Sequence, residues 1–198
     1  MRDSRTRRSQ QIDCWRRFLL LEHRLITALG WVQPDDRNFS CYSRELAALL
    51  KDTYPELENA ALAFAPDTTG FTPRPGQAIF HAVICHYFPD IHSYSVGLTG
   101  YGMRVRPWGA WRASDALPDW WVAAGEVNNR GGDAMQRATL RNALNAVAGL
   151  FVLLLLGGAR SVPHLSPGNR LLIAGDYVVR DGAHEVLRQA PSLGQTKS

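Results

Sequence analysis

The sequence predicts a mainly α, single-domain helical bundle with a long central apolar helix and one or two short β-hairpins. Three observations predict it. Apolar residues recur at helical spacing through most of the chain. The fourteen positions from Ala146 to Ala159 hold no strongly polar side chain, as befits a helix surrounded by other helices. Only two stretches, 94–107 and 170–182, mix glycine with β-branched residues in the manner of short strands. With 198 residues and 45% hydrophobic content, there is material for one well-buried core and little for a second. Residues 1–10 read as a disordered basic arm, 11–190 as the single helical domain and 191–198 as a loose tail.

Each element has its own justification. Trp15, Phe18, Leu19, Leu21, Leu25 and Ile26 mark a helix over about 13–30, with Gly30 as its stop. "CYSRELAALLKDTY" predicts a second helix, with Ser40 or Ser43 as N-cap and Leu46, Leu49 and Leu50 inward. Pro55 is read as a break, and "ELENAALAFA" as a third helix. After the "PDTTGFTPRPG" loop, "QAIFHAVICHYF" is helical up to Pro89, and 94–107 is an irregular excursion or hairpin. "SDALPDWWVAAGEV" opens another helix, with Ser114 or Asp115 ahead of it and Asp119 favoured by its dipole. "NNRGGD" is the turn into the long helix, expected from about Ala134 to Leu156 with Asp133 as cap; "RLLIAGDYVVRDG" is a second small hairpin about Gly175 and Asp176.

Composition excludes several function classes. A net charge of +4, carried almost wholly by arginine, suits an anionic partner without demanding one. Cys14, Cys41 and Cys85 are an odd number without paired spacing, which argues against a disulfide scaffold and fits a reducing cytoplasm. The apolar run is shorter than the roughly 20 residues of a membrane span, so no membrane partner is expected. The motifs GxSxG, GxxxxGKS, HExxH and GxGxxG do not occur, and no cofactor is expected. His81 and Cys85 share a helix face, but without a second pair of matching spacing no metal site is expected. Trp120 and Trp121 point about 100° apart on a helix: both in the core is the economical reading, one lining a groove the functional one.

Three segments carry a resemblance. "NFSCYSRELAALL", the stretch from "MRVRPWGAW" through "DWWVAAGEVNNRGGD" to "LRNALNAVAGLFVLLLL", and the terminal "DYVV" resemble an uncharacterised family of bacterial proteins. Its pattern runs N-F-x-x-Y-S-x-E-L, P-W-x-x-W, W-W-x-A-Y-N-x-V-K-H and A-x-L-x-N-A-L-N-A, over about two thirds of the chain. That pattern in turn resembles the HEPN superfamily, whose members are helical bundles, often dimeric, and in many cases ribonucleases of defence and stress systems. The resemblance implies an HEPN-like bundle, a homodimer, and RNA or a nucleotide as ligand.

It also implies a loss. The family's Lys-His pair falls on Asn128 and Asn129, and its Tyr-Asn pair on Ala124 and Gly125. An asparagine cannot exchange a proton near neutral pH, so the proton carrier is missing and efficient catalysis is not expected. Asn128, Asn129 and Arg130, with Trp120 and Trp121, remain as ligand-binding candidates. Arg17 with His23 is the fallback catalytic pair, and Arg74 with His81 is disfavoured because Arg74 lies in a Pro-rich loop. The expectation is an RNA- or nucleotide-binding protein without efficient catalysis; the alternative is a helical protein-interaction module or homodimer without a nucleic-acid role.

Overall fold

Trp15, Phe18, Leu21, Leu25, Ala28 and Leu29 form one buried stripe, and the helix that carries them, α1, runs Ser4–Leu29. The computed structural model of the protein describes residues 4–64, 77–112, 116–157 and 171–174. Helix α1 starts inside the segment expected as a basic arm. Residues 4–10 contain neither Pro nor Gly, so nothing stops the helix propagating backwards from its buried turns.

Helix α2 spans Arg44–Phe64 and passes through Pro55 without ending, which corrects the expected break. Pro55 and Lys51 both lie on the exposed face, so water can hydrate the Lys51 carbonyl that loses its amide partner. Beyond the proline, Leu57, Ala60 and Ala61 are buried and hold the helix to the core. Of the two N-cap candidates Ser43 is used: its Oγ accepts the Leu46 amide at 3.1 Å. Helix α3, Gln77–Tyr87, stops ahead of Pro89 as expected.

Strands β1 (Val96–Leu98) and β2 (Met103–Val105) form the first expected hairpin, and Gly100 and Gly102 supply the positive φ its turn requires. The third strand, β3 (Leu172–Ala174), belongs to the segment expected as a separate hairpin, but it pairs antiparallel with the other edge of β1. Three strands result, in the order β2-β1-β3. Gly97 permits this closeness: a Cβ there would lie 2.9 Å from Ile173 Cγ1. Residues 175–182 and the 191–198 tail lie outside the described residues, as do Ser114 and Asp115.

Helix α4 spans Asp119–Arg130, a 3₁₀ stretch follows over Gly131–Arg137, and α5 spans Leu140–Leu156. The last helix is therefore about 25 Å long and starts later than the expected Ala134. Ala138 leaves the helical region and Thr139 is extended, its side chain accepting the Asn142 amide, so Thr139 caps α5. Between Leu140 and Leu154 only Arg141 and Asn145 are not buried. Helix α5 touches α1, α2, α4 and β3.

Among the described residues one charged group stands inside this core. Glu22 occupies a buried position between Phe18 and Leu25 and is 2% exposed. Its Oε1 accepts the Leu171 and Leu172 amides at 3.0 and 2.9 Å. The carboxylate thus takes the place of a neighbouring strand for the start of β3 and ties it to α1. A buried carboxylate is tolerated only with such donors.

Candidate functional site

The two ends of α4 have different surroundings, and both follow from its sequence. Trp120, Trp121, Ala123, Ala124 and Val127 are buried at helical spacing, which sinks one face into the core. Around the first end stand four tryptophans. Trp108 lies 4.6 Å from Trp111, 5.0 Å from Trp120 and 5.6 Å from Trp121, measured between ring centroids. Three of the indole N–H groups are directed at backbone carbonyls: Trp108 donates to Gly149, Trp111 to Ala116 and Trp120 to Pro107. Gly149 admits them, since a Cβ there would lie 2.7 Å from Trp120 Cη2.

Trp120 and Trp121 are 4% and 1% exposed. Neither lines an open groove, and the reading of one as a stacking surface is corrected: the Gly149 recess in α5 draws the first ring inward and the Trp108 ring covers the second.

At the other end the polar candidates sit on the last turn of α4 itself, with the turn expected at "NNRGGD" following them as the 3₁₀ stretch. Asn128 is half-buried, while Asn129 and Arg130 are exposed. The Asn128 amide donates to Asn129 Oδ1 at 3.4 Å, a long contact that leaves both amides available to a ligand. Arg130 also complements the negative end of the helix dipole. The neighbouring Arg137 is paired with Glu126 at 2.9 Å, clamping the 3₁₀ stretch to α4. Among the described residues no ion pair holds Arg130.

Halfway along α4, Gly125 receives the Tyr54 ring from α2, 3.3 Å from where a Cβ would stand. Burial, followed by a hydrogen bond to Glu58, pushes the Tyr54 phenol up to about 12. Ala124 and Gly125 are the positions onto which the resemblance maps a Tyr-Asn pair. A side chain at Gly125 would crowd the Tyr54 ring, a contact invisible along the chain.

The fallback catalytic pair is not assembled. Six positions apart on α1, Arg17 and His23 face about 120° away from each other. Arg17 Nε is bound to Glu56 at 2.7 Å, and Arg17 Nη2 donates to Cys14 Sγ at 3.4 Å. The Glu56 contact raises the Arg17 pKa further, and burial pushes the Cys14 thiol up. Arg74 lies outside the described residues, and His81 stands edge-on to Trp111 at 4.8 Å. No group of three or more His, Cys, Asp or Glu side chains among the described residues is placed to hold a metal ion. No described helix is long and apolar enough to cross a membrane.

The residues that carry the resemblance have structural tasks in this chain. The Cys41 carbonyl accepts the Leu140 amide at 2.8 Å, the Phe39 carbonyl accepts the Arg141 amide at 3.2 Å, and Tyr42 bridges Thr139. With the Asn142 amide on Thr139, the opening amides of α5 are occupied, and the backbone of that helix start offers no phosphate site. Asn142 Nδ2 closes on the Arg137 carbonyl at 2.9 Å, and Asn145 Nδ2 on the Arg141 carbonyl at 2.8 Å. Set against known families, curated proteins and solved structures, the chain matches none.

Proposed function

We propose that this protein is an HEPN-like helical bundle that binds RNA or a nucleotide at the exposed end of α4 without cleaving it, in a bacterial defence or stress system. The observation that carries the reading is the state of Arg130: an exposed fixed charge that follows two side-chain amides and is held by no ion pair among the described residues. Amides donate and accept toward a base or phosphate but move no proton at neutral pH. The position that the resemblance gives to the proton carrier is Asn129. Arg17, committed to Glu56, supports the same absence of cleavage.

The test is a titration with single-stranded RNA at several salt concentrations. Binding should weaken as salt rises, Arg130→Ala should remove about one phosphate contact from the salt dependence, and the RNA should stay intact. Metal-independent cleavage, or the absence of any salt-dependent binding, would overturn the reading.

A second reading, a protein-interaction module, is favoured by Trp31, which is 86% exposed at the end of α1 while the other five tryptophans are buried. Acrylamide quenching of tryptophan emission should come almost entirely from Trp31 and vanish in Trp31→Phe. If quenching in the wild type falls as protein concentration rises, Trp31 is covered by a second copy and this reading gains over the first.

A further inference from the structure

We infer that the corner formed by Phe39, Tyr42 and Arg141, at the start of α5, is a stacking platform for single-stranded RNA. This rests on the RNA-binding reading and extends the ligand's path beyond α4.

The platform is built by the backbone. The carbonyls of Phe39 and Cys41 hold the amides of Arg141 and Leu140, and Tyr42 pairs with Thr139, so two distant segments are locked side by side. On this frame Arg141 lies over the Phe39 ring with its guanidinium carbon 4.9 Å from the centroid. A guanidinium held over a ring face can still donate N–H bonds from its edge to a phosphate. Tyr42, beside it, is 53% exposed. An exposed ring held by a fixed backbone loses little freedom when a base stacks on it.

Charge selects the partner. Segments 38–44 and 128–145 contain Arg44, Arg130 and Arg141, besides Arg137 whose charge Glu126 neutralises, against a single carboxylate, Asp133. Of the acids just outside, Glu45 is committed to Arg24 and Glu126 to Arg137. Aromatic rings interleaved with arginines match a single strand, whose unpaired bases stack and whose phosphates follow the cations. A duplex keeps its bases covered and would use the charge alone.

The full-length chain is titrated with a fluorescently labelled oligouridylate, and its thiols are alkylated with iodoacetamide with and without that RNA. Tyr42→Ala should weaken binding roughly tenfold while Tyr42→Phe keeps it. Arg141→Ala should weaken binding and reduce the salt slope by about 0.7. RNA should slow alkylation of the exposed Cys41, which adjoins Tyr42, several-fold and leave the half-buried Cys85 unaffected. Binding that depends on Arg130, with Tyr42→Ala silent and Cys41 unprotected, overturns the platform and leaves the α4 site standing. Absence of salt-dependent binding overturns both. Should Tyr42→Ala fail to fold, Arg141→Ala and protection of Cys41 in the wild type decide.

Discussion

The first and last turns of α4 lie about 15 Å apart on one helix, yet they have opposite characters. At the first, Trp120 and Trp121 are buried among Trp108, Trp111 and Gly149, with the Trp108 and Trp120 indole N–H groups held by backbone carbonyls. At the last, Asn129 and Arg130 are exposed and Asn128 is half-buried, with a long amide contact between the two asparagines. A large aromatic ring gains most by leaving water, and its one polar atom is satisfied by a single carbonyl. A guanidinium and two primary amides carry too many donors to be satisfied in such a recess. The lesson is that the most conspicuous residues of a sequence are not its most accessible ones, and the functional reading passes from the tryptophans to the polar turn.

Changes at the two ends should therefore differ greatly. The largest loss is expected for Trp121→Ala, about 3–5 kcal/mol in chemical denaturation, because it removes a fully buried ring from the cluster. A loss under about 1 kcal/mol would mean that the ring is not enclosed as described. Gly149→Ala comes next, at about 1–3 kcal/mol, since the new methyl group meets Trp120 and both nearby indoles are tied by hydrogen bonds. An altered near-ultraviolet circular dichroism should accompany it, and an unchanged spectrum with unchanged stability would contradict the recess.

The middle of α4 gives a pH-dependent contrast. With the Tyr54 phenol held at about 12 against an ordinary 10.0, the folded state keeps a proton that the unfolded chain gives up. This contribution is fully present below pH 10.0, and stability falls as pH rises from there toward about 12. Tyr54→Phe should remove that slope and the late step in the phenolate absorbance titration; an identical titration in both proteins would exclude it. The smallest effect belongs to Arg130→Ala, within about 0.5 kcal/mol in a thermal melt, because an exposed charge at a helix end is worth little to the fold. A large loss there would turn Arg130 into a structural residue and weaken the functional reading.

Local patterns made much of this architecture legible. The stripe Trp15–Leu29 and the inward set Leu46, Leu49 and Leu50 were readable because burial repeats with the helical period. The 96–105 hairpin was readable because its turn needs glycine. Helix limits were less so. Pro55 signals a break, but buried side chains on both sides of it outweigh one lost hydrogen bond. The start of α5 moved from Ala134 to Leu140 because carbonyls about a hundred residues away bind its first amides, and no local propensity encodes that.

The candidate site divides in the same way. By itself the sequence determined which chemistry is available: two side-chain amides at Asn128 and Asn129, one fixed charge at Arg130, two adjacent tryptophans, and a mainly helical chain with too short an apolar run to span a bilayer. Only the tertiary structure decided which of these groups meet water and which meet one another. It buried both tryptophans, tied Arg17 to Glu56, laid Tyr54 on Gly125, put Glu22 under β3, and brought Tyr42 and Phe39 to Arg141. The physical reason is range. Helical periodicity and chain-breaking residues act over a few neighbours, whereas a recess, an ion pair or a stacked ring needs two segments that the chain separates and only packing reunites.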